Sequence, residues 1–376
     1  MRSLFICLAN IRRSTLGLIH WGGPRGRFLW NRKPKVLKRY GGSAHSMIIS
    51  RTPVRVSFCG GGTDLPAYYR GSENGGLVTS FALSKHIHVT VNKRFDDSIR
   101  VGYSRTEIVD DFEDLEHELV REAMRMSGVT SGIEITTIAD IPSRGTGLGS
   151  SSSLTVGLLN ALHTYAGRTM SAEELASQAC QIEIDILGQP IGRQDQWAAA
   201  LGGANSLAFM PDDEVVVSPL SMDESQLSEL SESYFLVYTG VTRKATDILA
   251  RQSATSDHRR AELDTLREQA MMVRNALESG DHETVGNLLA ASWEIKRNLV
   301  DGITATTLDT LYDSVIEMGA TGGKLLGAGG GGFFLFHAPS GVRQKIEQTL
   351  DPIHRIIPLN IDTNGTTIIF DDGSRQ

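Results

Sequence analysis

The amino-acid sequence predicts an α+β fold in two domains, on three observations. Strand-like runs and amphipathic helices follow one another without the one-to-one alternation of a doubly wound parallel sheet. A chain of 376 residues, 40% hydrophobic and 22% charged, has the composition of a folded globular protein and the length of roughly two domains. An acidic, serine-rich stretch at 211–233 is the softest region and a border between the halves.

The elements follow from local pattern. Strand-like runs lie at 54–59, 77–92, 133–138, 205–209, 234–239, 333–337 and 366–370, the first within a longer run from Ile48 to Phe58. Ser150–Tyr165 reads as a helix, apolar at Leu154, Leu158, Ala161, Leu162 and Tyr165 and stopped by Gly167. Ser171-Ala172-Glu173-Glu174 is a capping-box pattern that opens a helix through Leu187, ahead of Gly188 and Pro190. Leu263, Leu266, Ala270, Val273 and Leu277 mark one face of a long helix ending at Gly280. Further helices are predicted over about 282–299 and Thr307–Met318.

Charge divides the chain differently. The net charge is −7, but residues 1–46 hold ten Lys/Arg and no Asp or Glu. The other 330 residues therefore carry 27 basic and 44 acidic side chains, a net of −17. An acidic body lacks the cationic face that nucleic acid requires. No run of about 18 apolar residues is present to cross a membrane. The basic segment reads as an extension outside the folded unit. Its Arg-rich, acid-free composition also suits an organellar transit peptide, and a generic arm for anionic partners is a further reading. Cys7, Cys59 and Cys180 form no CxxC pair, which points to a reducing compartment and a cytoplasmic protein. The expected domains are 1–46 as the extension, 47–210 and 211–376.

The glycines are concentrated. The first cluster is Cys59-Gly60-Gly61-Gly62-Thr63-Asp64, directly after a strand that contains Arg55. By itself it reads as a tight turn with Asp64 as a helix cap, although Asp64 could also grip vicinal sugar hydroxyls. The second runs Pro142-Ser143-Arg144-Gly145-Thr146-Gly147-Leu148-Gly149-Ser150-Ser151-Ser152-Ser153 into a helix. Backbone N–H groups at such a helix start, aided by the helix dipole, suit nucleotide phosphates, and a serine hydroxyl there can reach Mg²⁺. No Lys-Ser/Thr follows, so it is not a Walker A loop. The third, Gly322 to Gly332, leads into Phe333-Phe334-Leu335-Phe336. It satisfies GxGxxG formally, but a strand follows where a dinucleotide site needs a helix. Such a loop packs closely against a ligand or against the phosphate loop, and Gly329 and Gly330 are its substrate-side candidates. In Gly192-Arg193-Gln194-Asp195-Gln196, an aspartate lies downstream of Glu183, so two carboxylates could meet near one phosphate site.

Together these motifs resemble the GHMP kinase superfamily over about residues 48–372, with Gly147-Leu148-Gly149-Ser150-Ser151 the most diagnostic. Arg51 to Asp64, Gly192 to Gln196 and Trp293-Glu294-Ile295-Lys296-Arg297 are most similar to D-glycero-D-manno-heptose 7-phosphate kinases. Galactokinases carry a Glu in the first motif where this chain has Gly61 or Gly62. Four residues separate Pro142 from Gly147, one more than in mevalonate kinases.

The resemblance implies a ribosomal protein S5 domain 2-like N-terminal domain and a ferredoxin-like C-terminal domain. It implies ATP and Mg²⁺ as cofactors and phosphorylation of an anomeric hydroxyl. Gly145, Gly147, Leu148, Gly149, Ser150, Ser151 and Ser152 would hold ATP, and Ser151 and Glu183 the Mg²⁺. Asp195 would orient or deprotonate the acceptor, with Arg55 beside it. Gly61, Gly62, Thr63 and Asp64 would meet the sugar. A phosphate already on the sugar would need cations, for which Arg243 and Lys244 are candidates ahead of Arg193, Lys296 and Lys324. The alternatives are a kinase for an unphosphorylated sugar such as fucose and an inactive, sugar-sensing family member.

Overall fold

The strand β1 (Met47–Cys59) organises the fold, and it opens the computed structural model, which describes residues 47–142, 145–242, 246–255 and 258–375. The chain continues through α1 (Pro66–Tyr69), β2 (Gly76–Lys93), β3 (Ile99–Gly102), β4 (Thr106–Val109), α2 (Glu118–Ser127) and β5 (Ile133–Ala139). Next come α3 (Ser150–Tyr165), α4 (Ala172–Cys180), α5 (Gln194–Leu201), β6 (Ala204–Phe209) and β7 (Val215–Pro219). After them follow α6 (Glu224–Ser233), β8 (Tyr234–Tyr238), α7 (Thr246–Thr255), α8 (Arg260–Ser279), α9 (His282–Arg297) and α10 (Thr306–Glu317). The last elements are β9 (Gly322–Leu325), β10 (Phe333–His337), α11 (Val342–Thr349), β11 (Ile356–Pro358) and β12 (Thr367–Asp371).

Two sheets result. The larger runs β12-β1-β2-β5-β3-β4, with β6 on β2 and β7 on β6. At 18 residues β2 serves two partners on the edge away from β1: residues 76–81 pair with β6 and 87–93 with β5. The smaller sheet is antiparallel, in the order β11-β8-β10-β9. From Thr52 to Cys59 every residue of β1 is buried, because α3, α5, α8 and α9 all pack on it. This is why β1 reads as a near-continuous apolar run instead of an alternating one. Arg55 is the charged exception in that buried run, and the site grows from it.

Two expectations change. The helix expected from Ser171 through Leu187 is α-helical only to Cys180, with the capping box in place, and then widens into a π turn over Gln181–Ile186. Leu187 donates to the Ile182 carbonyl at 2.9 Å, five residues back, and Glu183 lies inside the widened turn. The stretch 211–233 is structured. Its acidic residues form the tip of the β6–β7 hairpin and the cap of α6, where Asp223 and Gln226 bond each other's backbone. Sheet membership therefore crosses position 211, since β7 extends the larger sheet and β12 returns to pair with β1. The basic segment 1–46 lies outside the described residues.

The smaller sheet is anchored by Trp293, fully buried on α9, its ring edge-on to Phe334 with centroids 5.6 Å apart and tilted against Tyr312 at 6.2 Å. Trp293→Ala should cost about 3–5 kcal/mol of unfolding free energy through the cavity it leaves. Urea denaturation checks this, and a loss below about 1 kcal/mol would contradict the packing account.

Candidate active site

Arg55 and Asp195, 140 positions apart in the sequence, meet in the fold. Asp195 lies in the first turn of α5, and Arg55 grips it bidentately, Nε to Oδ1 at 2.7 Å and an Nη to Oδ2 at 2.8 Å. The other Nη donates to the Gly147 carbonyl at 2.5 Å, and the Arg55 backbone N–H donates to the Leu148 carbonyl at 3.0 Å. One arginine thus fixes both a carboxylate and the second glycine cluster. Gly147 and Gly149 adopt φ of +74° and +72°, the left-handed region that favours glycine. Gly149 is also the N-cap of α3, and no side chain caps that helix start. A helix start without a side-chain cap is a place where backbone N–H groups can meet an anion. A Cβ on Gly149 would sit 3.0 Å from Asp195 Oδ2, so the carboxylate lies directly against that helix start.

Glu183 approaches the same turn from its π segment. Its Oε1 accepts from the Ser151 and Thr155 hydroxyls, each at 3.2 Å, and its Oε2 from the Gln196 amide at 2.5 Å. Burial pushes its carboxyl up to about 7; the Ser152 hydroxyl and the Gln196 amide pull it down, and the Asp195 charge adds to the rise. The side-chain amide oxygens of Gln194 and Gln196 are buried with no donor among the described residues. Serine, threonine, glutamate and glutamine oxygens on one side of the phosphate site are a donor set suited to Mg²⁺, which takes one or two carboxylates and completes its shell with water and phosphate. No cluster of three or more His, Cys, Asp or Glu is present among the described residues, so the arrangement is not an all-protein metal cage.

The first glycine cluster folds as a turn closed by its own side chains. Asp64 is buried; its Oδ1 accepts from Gly62 N–H at 2.9 Å and its Oδ2 from Gln194 N–H at 3.3 Å. Burial, then the Asp195 charge, raises its carboxyl. Thr63 is buried, and its hydroxyl is spent on the carbonyls of Gly60 and Leu77 and the Leu77 N–H. Gly61 lies by Ser57 and Gln194, while Gly62 sits under the Gln252 amide. The third cluster packs on the second, backbone to backbone. A Cβ on Gly327 would lie 2.4 Å from the Gly147 Cα, and one on Gly332 would lie 2.3 Å from the Thr146 carbonyl and 3.1 Å from that of Gly145. Gly329 and Gly330 face Ile303, whose carbonyl accepts from Gly330 N–H at 2.8 Å.

Three lesser candidates for meeting a phosphate on the sugar are engaged with the backbone. Lys296 and Lys324 are buried and bonded to backbone carbonyls, and Arg193 donates to the Asp213 carbonyl at 2.6 Å. Arg243 and Lys244 lie outside the described residues. Sequence reasoning left three contributors without a role: Thr155, Gln196 and the π turn. The signal for Gln196 was present in its place beside Asp195, but only the fold shows Glu183 as its partner.

Comparisons with known proteins place the chain in a family. Residues 115–203 match the GHMP kinases N terminal domain and residues 273–351 the GHMP kinases C terminal domain. Over 306 residues the chain is 31% identical to D-glycero-alpha-D-manno-heptose 7-phosphate kinase of Campylobacter jejuni, covering 77% of this chain and 88% of that protein. The chain belongs to the GHMP kinase family. It is an ATP-dependent carbohydrate kinase with the two-domain GHMP fold. It is also 27% identical to L-fucokinase/L-fucose-1-P guanylyltransferase of Bacteroides fragilis over 85% of its length, spanning 38% of that protein. Among solved structures, a D-glycero-D-manno-heptose 1-phosphate kinase from Bacteroides thetaiotaomicron superposes with a TM-score of 0.71 at 24% identity, covering 85% of this kinase and 97% of that chain, a likeness of fold. No helix among the kinase's described residues is long and apolar enough to cross a membrane.

Close approach at Gly192 supplies a test of the site's packing. A Cβ there would lie 1.8 Å from Asp64 Oδ2, at the point where Asp64 holds the start of α5. Gly192→Ala should destabilise the kinase by about 1–3 kcal/mol in urea unfolding, as overpacking a fixed site does. Unchanged stability would mean that Asp64 is not held as described.

Proposed function

We propose that the kinase transfers the γ-phosphoryl group of ATP to the anomeric hydroxyl of a sugar phosphate, D-glycero-D-manno-heptose 7-phosphate, giving the 1,7-bisphosphate. The observation that carries the reading is the Asp195 carboxylate, gripped by Arg55 and lying against the uncapped start of α3. A base in this place orients an acceptor hydroxyl beside a bound phosphate. The identity to the Campylobacter jejuni heptose 7-phosphate kinase supports the choice of sugar.

The residues divide the work. The loop Gly145–Gly149 and the N–H groups of Ser150, Ser151 and Ser152 would hold the ATP phosphates. Ser151 and Glu183, with the Gln196 side-chain amide oxygen behind them, would hold Mg²⁺, which when bound neutralises phosphate charge. Asp195 would take the acceptor proton as the new O–P bond forms and the bond to ADP breaks. Its task as a base is mild, because an anomeric hydroxyl is more acidic than an ordinary alcohol. Arg55 would steady the carboxylate and the transferring group. Asp64, with Gly61 and Gly62, would meet sugar hydroxyls through the lone pairs its backbone bonds leave. Arg243 and Lys244 would meet the distal phosphate, with Gly329 and Gly330 on the substrate side.

An ATP-consumption assay over a sugar panel tests the substrate. Turnover on heptose 7-phosphate and little on unphosphorylated sugars is expected. Faster turnover of fucose would favour the second reading, which the 27% identity to a fucokinase keeps in view. Asp195→Ala should lower kcat by about 10²–10⁴-fold and leave ATP affinity within a few-fold. Normal turnover in that variant would remove Asp195 from its role.

Mg²⁺ binding at Glu183 must displace a proton at any pH below about 7, where the folded chain holds its carboxyl protonated. Apparent Mg²⁺ affinity should therefore rise with pH, by at most about tenfold per unit between about pH 5 and 7, and level off above. Glu183→Gln should flatten that dependence. A wild-type affinity independent of pH over this window would contradict the ligand role.

A further inference from the structure

Lys296 is a buried ammonium that the reading above leaves unused. It rises from α9, and its Nζ donates to the carbonyls of Leu325 at 2.9 Å and Gly327 at 2.5 Å, the entry of the third glycine cluster. That cluster is the wall on which the phosphate loop rests. The Leu326 carbonyl would lie 2.6 Å from a Cβ on Gly147, and Gly327 fits against the Gly147 Cα only because both residues lack a Cβ. Arg55 holds the same Gly147 from the other side, through its carbonyl. Gly147 is thus clamped between Arg55 and the segment that Lys296 holds.

We propose that Lys296 is a positioning residue for nucleotide binding: it fixes Leu325–Gly327, and through them Gly147, so that the phosphate loop is preformed for ATP. The inference rests on the kinase reading above. A merely space-filling side chain would not need a charge here, and a buried ammonium is costly unless bonded. The charged groups around it are Lys324 of β9, Arg55 of β1 and Asp64 of the first glycine turn. Burial, then Lys324 and Arg55, holds its ammonium well below the usual lysine range, with Asp64 opposing. An anion bound at the phosphate loop would relieve that cationic crowding. Lys324 is the contrast. It lies in the same cluster, but its Nζ donates to the Phe58 carbonyl at 2.8 Å, beside the first glycine cluster, and not to the carbonyls of Leu325 or Gly327.

The test is steady-state kinetics of full-length Lys296→Met, which keeps length and loses charge and donors. The Michaelis constant for ATP should rise by about tenfold or more, the worth of losing bonds to a charged donor, while that for the sugar changes less than about threefold. A lower kcat with both Michaelis constants unchanged would indicate a structural role only and overturn the proposal. Gly327→Ala, which disturbs the same contact from the loop side, should reproduce the ATP-selective defect; an equal effect on both substrates would count against it. Should both variants fail to fold, the wild type still decides. Amide hydrogen exchange at Leu326 and Gly327 should already be slow in the ATP-free wild type and change little on adding ATP with Mg²⁺; fast exchange there that slows only with ATP would overturn the inference. Wild-type protein that consumes no ATP with any sugar would instead sink the kinase reading itself.

Discussion

Arg55 ties two distant parts of this molecule to one strand, because it satisfies two partners that the chain supplies from far apart. A guanidinium inside a buried strand is tolerable only if its fork is bonded. Here the fork is divided between Asp195, 140 positions away in the sequence, and the Gly147 carbonyl, 92 positions away. Since β1 cannot move without disturbing the strands on both sides of it, α5 and the phosphate loop are both referred to one rigid strand. Asp195 and the loop Gly145–Gly149 are thereby held in fixed relation to each other.

The electrostatics of the interior follow from that arrangement. The body is acidic overall, yet Arg55, Lys296 and Lys324 gather behind the loops. Burial pushes Lys324 down to about 8 and Glu183 up to about 7, so both signs of charge are strained toward neutrality within one region. A ligand charge bound beside such groups would relieve the strain and tie its affinity to pH. Asp64 shares this logic. Its raised carboxyl sits within reach of the Asp195 charge and is steadied by the N–H groups of Gly62 and Gln194.

Much of this was legible in residue pattern, and the remainder depended on which groups the fold brings together. The helix Ser150–Tyr165 and its serine-rich start carry their own stop and start signals, and the structure gives the same bounds. The strand Phe333–His337 was likewise plain from its apolar run. The acidic stretch 211–233 reads as soft, but polarity marks a hairpin tip and a capped helix as readily as a border. The π turn at Glu183 has no local signature, since it depends on how the end of α4 meets α3 and α5. Lys296 and Lys324 read from sequence as lesser candidates for a phosphate, with a solvated surface charge the stronger reading. Burial, which one-dimensional pattern does not give for a lysine, turned them into backbone clamps.

The most direct test of the account is a double-mutant cycle on Arg55→Gln and Asp195→Asn, read by single-turnover phosphoryl transfer at saturating ATP and sugar phosphate. If the pair acts as one unit, the double variant should be about as slow as either single variant, a coupling of at least about 2 kcal/mol. Losses that simply add would mean that Arg55 and Asp195 act independently, and the central claim of one strand fixing both the base and the phosphate site would fail.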